Sequence, residues 1–488
     1  MVVRNYLYNL MYQLVTILLP IITIPYTSRV LGADGLGKYS LTNAYAQYFV
    51  LFGMIGLGMY CSREIAYVKD DKTKLSKTFL ELNFLRFITM GTSIIIYILF
   101  CIYAIKPQDK VMSIVQGFIL LSSLFDISWL FTGLENFKKV SIRNTIVKIV
   151  GTCLVFIFVK NETQVWLYAL ILGGTQFIGQ IIMWFDIPKY IKFVKPNKDA
   201  LIRHLSFSLK LFIPQIAINV YTMLDKVMLG NLANEAEVGM YDNSQKIIKI
   251  AITIVTTLAS VTIPKMANLY KNGQLEEFSK NVYKSFSFVS FLAFPMAFGL
   301  IGICRNFIPW FYGPGFERIE PMFYFGSWLM ITLAWSSIVG TQVLISMKRD
   351  KQFTIAVTIG AAMNIVFNFI LIRKFGGVGT TISSVIAEFT GMFIMVYFVR
   401  DIVNVKQLFK IIPKYFISGF VMFLMVFNAV NLVNQNIIGT AIQVIVGVLS
   451  YLSIMFIIKD ENIFYILKFI KNKIKLKRIY KVSVDDIK

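Results

Sequence analysis

The chain reads as an all-α integral membrane protein with about fourteen transmembrane helices, from its apolar composition, its apolar runs of spanning length and a motif that occurs twice. Of its 488 residues, 57% are hydrophobic and 15% charged. A soluble domain holds roughly 45–50% and about 25%, and could not cover this much apolar surface. A transmembrane barrel is excluded because the runs are continuously apolar, whereas lipid-facing strands alternate.

In chain order the runs predict spans at 7–26, 38–60, 79–104, 111–133, 144–159, 163–185, 205–230, 238–263, 283–304, 320–346, 353–372, 377–399, 411–433 and 437–458. At 1.5 Å per residue, about twenty residues cross a hydrocarbon layer of roughly 30 Å. The fifth run is the shortest. The first is too long for a secretory signal, and no small-residue cleavage site follows it, so it is expected to stay as span one. Pro20 and Pro25 in span one and Pro214 in span seven each remove a backbone hydrogen bond and permit a bend.

The formal charge of +23 is not a nucleic-acid signature, because the cations collect in alternate loops rather than on one domain. Lys69 to Lys77, Lys138 to Arg143, Lys189 to Arg203 and the C-terminal tail fall on one side, which the positive-inside rule makes cytoplasmic together with both termini. The expected organisation is a six-helix bundle over 1–186, a cytoplasmic interfacial linker over 187–204, a second six-helix bundle over 205–400, an accessory transmembrane pair over 401–458 and a basic amphipathic tail over 459–488. The linker and tail mix aromatic, aliphatic and basic residues, a pattern suited to anionic phospholipids of the inner leaflet.

The four cysteines show no metal or disulfide spacing. The single histidine, His204, sits in a basic stretch and is expected to be solvated. Neither metal nor organic cofactor is implied.

The first span exits through Ser28-Arg29-Val30-Leu31-Gly32 and continues with Gly37-Lys38-Tyr39; the seventh exits through Asp225-Lys226-Val227-Met228-Leu229-Gly230 and continues with Gly239-Met240-Tyr241. Each exit carries a basic residue, a valine and Leu-Gly, and Gly-x-Tyr opens the next helix. The repetition predicts two bundles related by an axis along the membrane normal, and transporter sites lie between such repeats.

An ionised side chain at a helix centre costs roughly 2.5–3.5 kcal/mol on insertion scales, so it seeks a partner or water. Arg86 on span three and Asp126 on span four lie at similar depth and could pair. Lys246 and Lys249 are three apart on span eight and share a face. With Arg29 and Lys226 at the outer ends of spans one and seven, these cations suit an anionic substrate, and Asn43, Gln47 and Gln342 are candidate cavity-lining amides. Gln215, Asn219, Asn243, Gln245, Asn364 and Asn368 belong to the same polar set. Asp126, Asp225 and Glu388 are candidate acceptors for a coupling proton or sodium ion.

In the order Ile24-Pro25-Tyr26-Thr27-Ser28-Arg29-Val30-Leu31-Gly32, Ser62-Arg63-Glu64, Asp126-Ile127-Ser128-Trp129-Leu130-Phe131, Leu224-Asp225-Lys226-Val227 and Gly376-Gly377-Val378-Gly379 with Glu388, the sequence resembles the Wzx-type polysaccharide flippases. These form the polysaccharide transporter branch of the multidrug/oligosaccharidyl-lipid/polysaccharide exporter superfamily. The resemblance covers about residues 10–400. It implies two six-helix bundles in a V, location in the bacterial plasma membrane, and translocation of an undecaprenyl-pyrophosphate-linked oligosaccharide to the outer leaflet for capsule or exopolysaccharide synthesis. A proton or sodium gradient and a partner polymerase with its assembly machinery are implied likewise.

Teichoic-acid units remain an alternative cargo, and a cation or drug antiporter of the same superfamily an alternative function. A membrane polysaccharide polymerase would need a sizeable outer loop with carboxylates or arginines, and no outer loop here provides one. No Gly-x-x-x-x-Gly-Lys-Ser/Thr loop for nucleotide phosphates is present.

Overall fold

The computed structural model describes residues 2–195, 197–429 and 433–468. Every regular element among them is helical. Helix α1 (Val2–Met54) contains Pro20 and Pro25, and is broken at Gly32, whose φ of 67° and ψ of 178° no helix accommodates. A straight rod of 53 residues would run about 80 Å. The break beyond the C-terminal end of the first apolar run lets the chain turn back.

The N-terminal helices continue as α2 (Leu57–Val68), α3 (Lys72–Tyr103), α4 (Lys110–Leu124), α5 (Ser128–Gly133), α6 (Phe137–Phe158) and α7 (Val165–Trp184). Asp71 opens α3 by accepting from the backbone N–H groups of Thr73 and Lys74, both at 3.0 Å. Two long helices follow, α8 (Lys198–Leu232) and α9 (Glu235–Lys271), then α10 (Leu275–Phe311), α11 (Ile319–Gly326) and α12 (Trp328–Ser336). A π-helical stretch, Ser337–Ile345, extends α12. The chain continues through α13 (Asp350–Phe375), α14 (Gly377–Val399), α15 (Val405–Lys410), α16 (Ile412–Ala429) and α17 (Ile437–Ile457).

Among the described residues, eleven segments are long and apolar enough to cross a membrane. The expected count of about fourteen is not established by these eleven. One of them, Leu10–Val68, is 59 residues long and includes the break at Gly32, while α8 and α9 are not among them. Their outward faces fit lipid: Ile95, Ile96, Ile98, Leu99 and Ile102 on α3 are all exposed.

Contacts divide the chain into two compact units. The first comprises Met1–Lys246, Tyr312–Arg318 and Asn364–Ser383; the second comprises Ile247–Phe311, Ile319–Met363 and Ser384–Lys488. The first unit thus takes α8 and the opening of α9 with the N-terminal helices, a grouping that contact dictates and a repeat pattern does not. Its core packs Phe79 of α3 on Trp129 of α5 at 5.3 Å between ring centroids, beside Tyr60, Cys61 and Ile65 of α2. In the second unit Phe286 stacks on Trp335, whose indole N–H donates to Ser290 Oγ at 2.9 Å.

The stretch expected to be a cytoplasmic interfacial linker, 187–204, is tied to α3. Its backbone donates to α3, Lys192 N to Ser76 Oγ at 3.0 Å and Asn197 N to Glu81 Oε1 at 3.2 Å, although Phe193 and Ile202 face outward. His204 is not solvated but 3% exposed. Tyr60 Oη lies 2.7 Å from its Nδ1, and Glu81 Oε2 is 3.5 Å from its Nε2. The loop-like composition of 187–204 hid this because the partners lie on helices more than a hundred residues earlier. Of the expected amphipathic tail, Phe464, Tyr465 and Leu467 are exposed, and residues 469–488 lie outside the described ones.

Candidate functional site

The two glycines of the repeated Gly-x-Tyr come together in the first unit. A β-carbon on Gly37 would stand 1.7 Å from the carbonyl oxygen of Glu235, and one on Gly239 would stand 2.1 Å from that of Ala33. Only residues without a side chain allow the opening turns of the returning half of α1 and of α9 to touch backbone to backbone. A β-carbon on Gly230 would meet a side chain instead, standing 2.6 Å from Leu41 Cδ1.

Around this crossing the structure gathers charge. The Asp242 carboxylate, 7% exposed, holds Lys226 Nζ through one oxygen and Lys246 Nζ at 2.8 Å through the other. Lys246 is one helical turn on from Asp242, and Lys226 reaches across from α8. Both lysine side chains are partly exposed, so the cluster presents two ammonium groups against one buried carboxylate.

A second cluster is built on Asp225, which is 4% exposed. Tyr241 Oη donates to one of its oxygens at 2.7 Å, and Asn368 Nδ2 donates to the other at 2.7 Å and to Asn364 Oδ1 at 3.0 Å. Both asparagines are fully buried, yet Asn368 Oδ1 and Asn364 Nδ2 have no hydrogen-bond partner among the described residues. An oxygen-rich, incompletely satisfied group of this kind, one carboxylate and two amides, can accept a proton or a small hard cation once the amides turn.

A third carboxylate, Glu237, escaped sequence reading. It pairs with Arg318 at 2.7 Å and accepts the backbone N–H of Gly377 at 2.8 Å. Gly376, at a φ of 60°, turns the chain there. Its only sequence signal was the Gly376-Gly377 turn, and nothing in that turn names an acidic partner 140 residues away.

The family described as polysaccharide biosynthesis protein matches residues 2–270. The chain belongs to that family. A putative O-antigen transporter of Escherichia coli is 21% identical over 402 residues, covering 82% of this chain and 96% of its own length. A probable flippase, AglR, of Haloferax volcanii is 23% identical over 267 residues, covering 53% of this chain and 54% of its own. The structure of the lipid II flippase MurJ in an inward closed conformation superposes with a TM-score of 0.73 at 19% identity, covering 93% of this chain and all of that one. An inward-facing multidrug resistance MATE family transporter of the MOP superfamily gives 0.59 at 13% identity, covering 80% and 98%. At these identities the likeness is one of fold.

In this polysaccharide biosynthesis protein the remaining candidates differ in burial and in partners. Arg86 is fully buried, with its guanidinium 5.3 Å from the Trp129 ring centre and Nη1 donating to Ser123 O at 3.4 Å. It has no surface with which to touch a substrate, and its Nε and Nη2 atoms have no hydrogen-bond partner among the described residues. The expected Arg86–Asp126 ion pair is not among the salt bridges of the described residues: Asp126 accepts the Ser128 backbone N–H at 2.8 Å. Asp126 lies instead on a polar cavity of about 510 Å³ with Arg143, Lys148 and Gln176.

Gln342, in the π-helical stretch, is fully buried and donates to Thr262 Oγ1 at 2.7 Å and Ser285 Oγ at 3.0 Å, so it ties helices together and offers no surface to a substrate. Asn43 Nδ2 donates to Gln116 Oε1 at 3.4 Å, and Gln47 is half-buried. Arg29 is exposed, with Nη1 donating to Pro25 O at 2.6 Å. Lys249 is exposed, and Glu388 is half-buried in the second unit. The side chains of Pro214, Gln215 and Asn219 lie outside the described residues.

Proposed function

We propose that this membrane transporter is a flippase for a lipid-linked oligosaccharide and moves it from the inner to the outer leaflet by alternating access. The observation that carries the reading is the convergence of Lys226 and Lys246 on buried Asp242. Two ammonium groups sharing one carboxylate are a half-neutralised anion site. A diphosphate brings more oxygens and more charge than one carboxylate, so it competes for both lysines.

The finer proposal is an undecaprenyl-pyrophosphate carrier bearing a repeat unit for capsule or exopolysaccharide. The relatives named O-antigen transporter and flippase support the class of cargo. A groove of about 450 Å³ in the second unit, walled by Pro295, Met296, Met422 and Val448, offers an isoprenoid chain an apolar bed. Coupling to a proton or sodium gradient is assigned to the Asp225–Asn368–Asn364 cluster. The protein works in the bacterial plasma membrane with both termini cytoplasmic, alongside a polymerase and its assembly machinery. A cation or drug antiporter would favour a net acidic site, and the lysine pair argues against it.

Purified protein in liposomes containing a fluorescent polyprenyl-diphosphate oligosaccharide tests the proposal. Transbilayer movement faster than in protein-free liposomes, and lost in Lys246→Ala, is the expected result. Movement equal to empty liposomes, together with efflux of cationic dyes, would overturn it.

A further inference from the structure

We propose that the groove between α6 and α7 is a specific binding site for an anionic phospholipid of the inner leaflet. The groove has a volume of about 690 Å³, and its walls change character along their length. Lys138 and Lys139 stand at the start of α6, Ile142 and Arg143 follow one turn on, and Ile146 of α6 lines the groove with Ile182 of α7. The three isoleucines are 37%, 55% and 56% exposed, as befits side chains against acyl chains. From Lys138 to Ile146 a helix rises about 12 Å, roughly the step from a phosphate to the first methylenes of a lipid.

The charge balance at the head of the groove leaves room for a phosphate. Lys139 is committed to Asp186 at 2.9 Å, a carboxylate that also holds Lys189, and Glu135 is paired with Lys69. Among the described residues, Lys138 has only the ring of Tyr8 beneath it, 5.7 Å from the ring centre. Arg143 brings a buried Nε without a hydrogen-bond partner among the same residues. The same guanidinium also lines the cavity that holds Asp126, and with Lys138 it sets two cations at the head of the groove. The Arg143 stem runs over Gly179, where a β-carbon would stand 3.4 Å from Arg143 Cδ and 2.3 Å from Val147 Cγ2. Glycine here keeps the groove floor clear. By the positive-inside rule this end of α6 is at the cytoplasmic surface, where anionic headgroups are found.

The site is separate from the lysine pair on Asp242 and does not depend on what is flipped. The full chain, purified in a neutral detergent, is titrated with phosphatidylglycerol or phosphatidylcholine, with retained lipid counted by native mass spectrometry and melting temperature followed in parallel. Phosphatidylglycerol is expected to be retained and to raise the melting temperature, and phosphatidylcholine to do neither. Lys138→Gln and Arg143→Gln should each weaken retention about fivefold, the worth of one cation near a headgroup. Lys138→Gln, an exposed change at a helix start, keeps the test decisive if Arg143→Gln does not fold. Equal retention of the two lipids, or undiminished retention by Lys138→Gln, would overturn the proposal. Displacement of phosphatidylglycerol by an equimolar polyprenyl diphosphate would reassign the groove to the carrier lipid and overturn it likewise.

Discussion

Gly37 and Gly239 lie against each other so closely that neither could carry a side chain: the nearest backbone atoms would be 1.7 Å and 2.1 Å from the added carbons. These are the glycines of the duplicated Gly-x-Tyr. The repeat therefore serves as a contact as well as a signature, with each copy supplying one side of a backbone crossing.

Gly37→Val forces that crossing apart. Overpacking of this kind costs about 1–3 kcal/mol or more in the closed arrangement. Labelling of a cysteine placed at Lys38 by a membrane-impermeant reagent should rise while flipping falls. Unchanged labelling and transport would remove the crossing from the transport cycle.

Asp242→Asn releases two lysines from their shared counter-ion. Binding of inorganic pyrophosphate to the detergent-solubilised protein should strengthen, by roughly five- to tenfold at low salt, and become more salt-sensitive. Lys226→Ala and Lys246→Ala should weaken it. If Asp242→Asn binds less tightly than wild type, the carboxylate scaffolds the lysines and does not compete with the ligand.

Asn368→Ala removes a donor from Asp225 and an amide oxygen from a cluster that already contains unsatisfied atoms. Transport should lose its response to collapse of a sodium or proton gradient while pyrophosphate binding at Lys226 and Lys246 persists. A gradient response equal to wild type would place coupling elsewhere, with Glu388 the next residue to change.

His204 makes stability depend on pH. Burial holds its imidazole below the ordinary value near 6.5, against the opposing pull of Glu81 and Glu64 and with the help of Arg203. The folded state thus binds fewer protons than the unfolded one. The stabilisation is fully present above about pH 6.5 and is lost as pH falls below it. The melting temperature of wild type should drop between about pH 7.5 and 5.5, and the drop should shrink in His204→Gln. Parallel curves for the two proteins would refute this.

Much of the architecture was legible because lipid leaves a chain few choices. An apolar run of about twenty residues must be a helix, since only a helix satisfies its own backbone in hydrocarbon. The run from Phe79 to Tyr103, which forms most of α3, needs no partner to be recognised. The Gly32 break was written in Leu31-Gly32, and the alternation of basic loops gave the expected orientation. Arg86 illustrates where such reading stops. Its depth implied a partner or a cavity, yet the structure encloses it behind Trp129 and does not pair it with Asp126 within salt-bridge range.

Composition and periodicity by themselves determined a helical membrane protein with a duplicated motif and an excess of positive charge, because those properties follow from local transfer energies along the chain. Which charges meet was decided only by the tertiary structure. Lys226 finds Asp242 across two helices, Asn368 finds Asp225 from 143 residues away, and His204 finds Tyr60 from 144. The reason is physical: insertion energy depends on each residue's own depth, whereas an ion pair or hydrogen bond depends on distances of about 3 Å that only helix packing fixes.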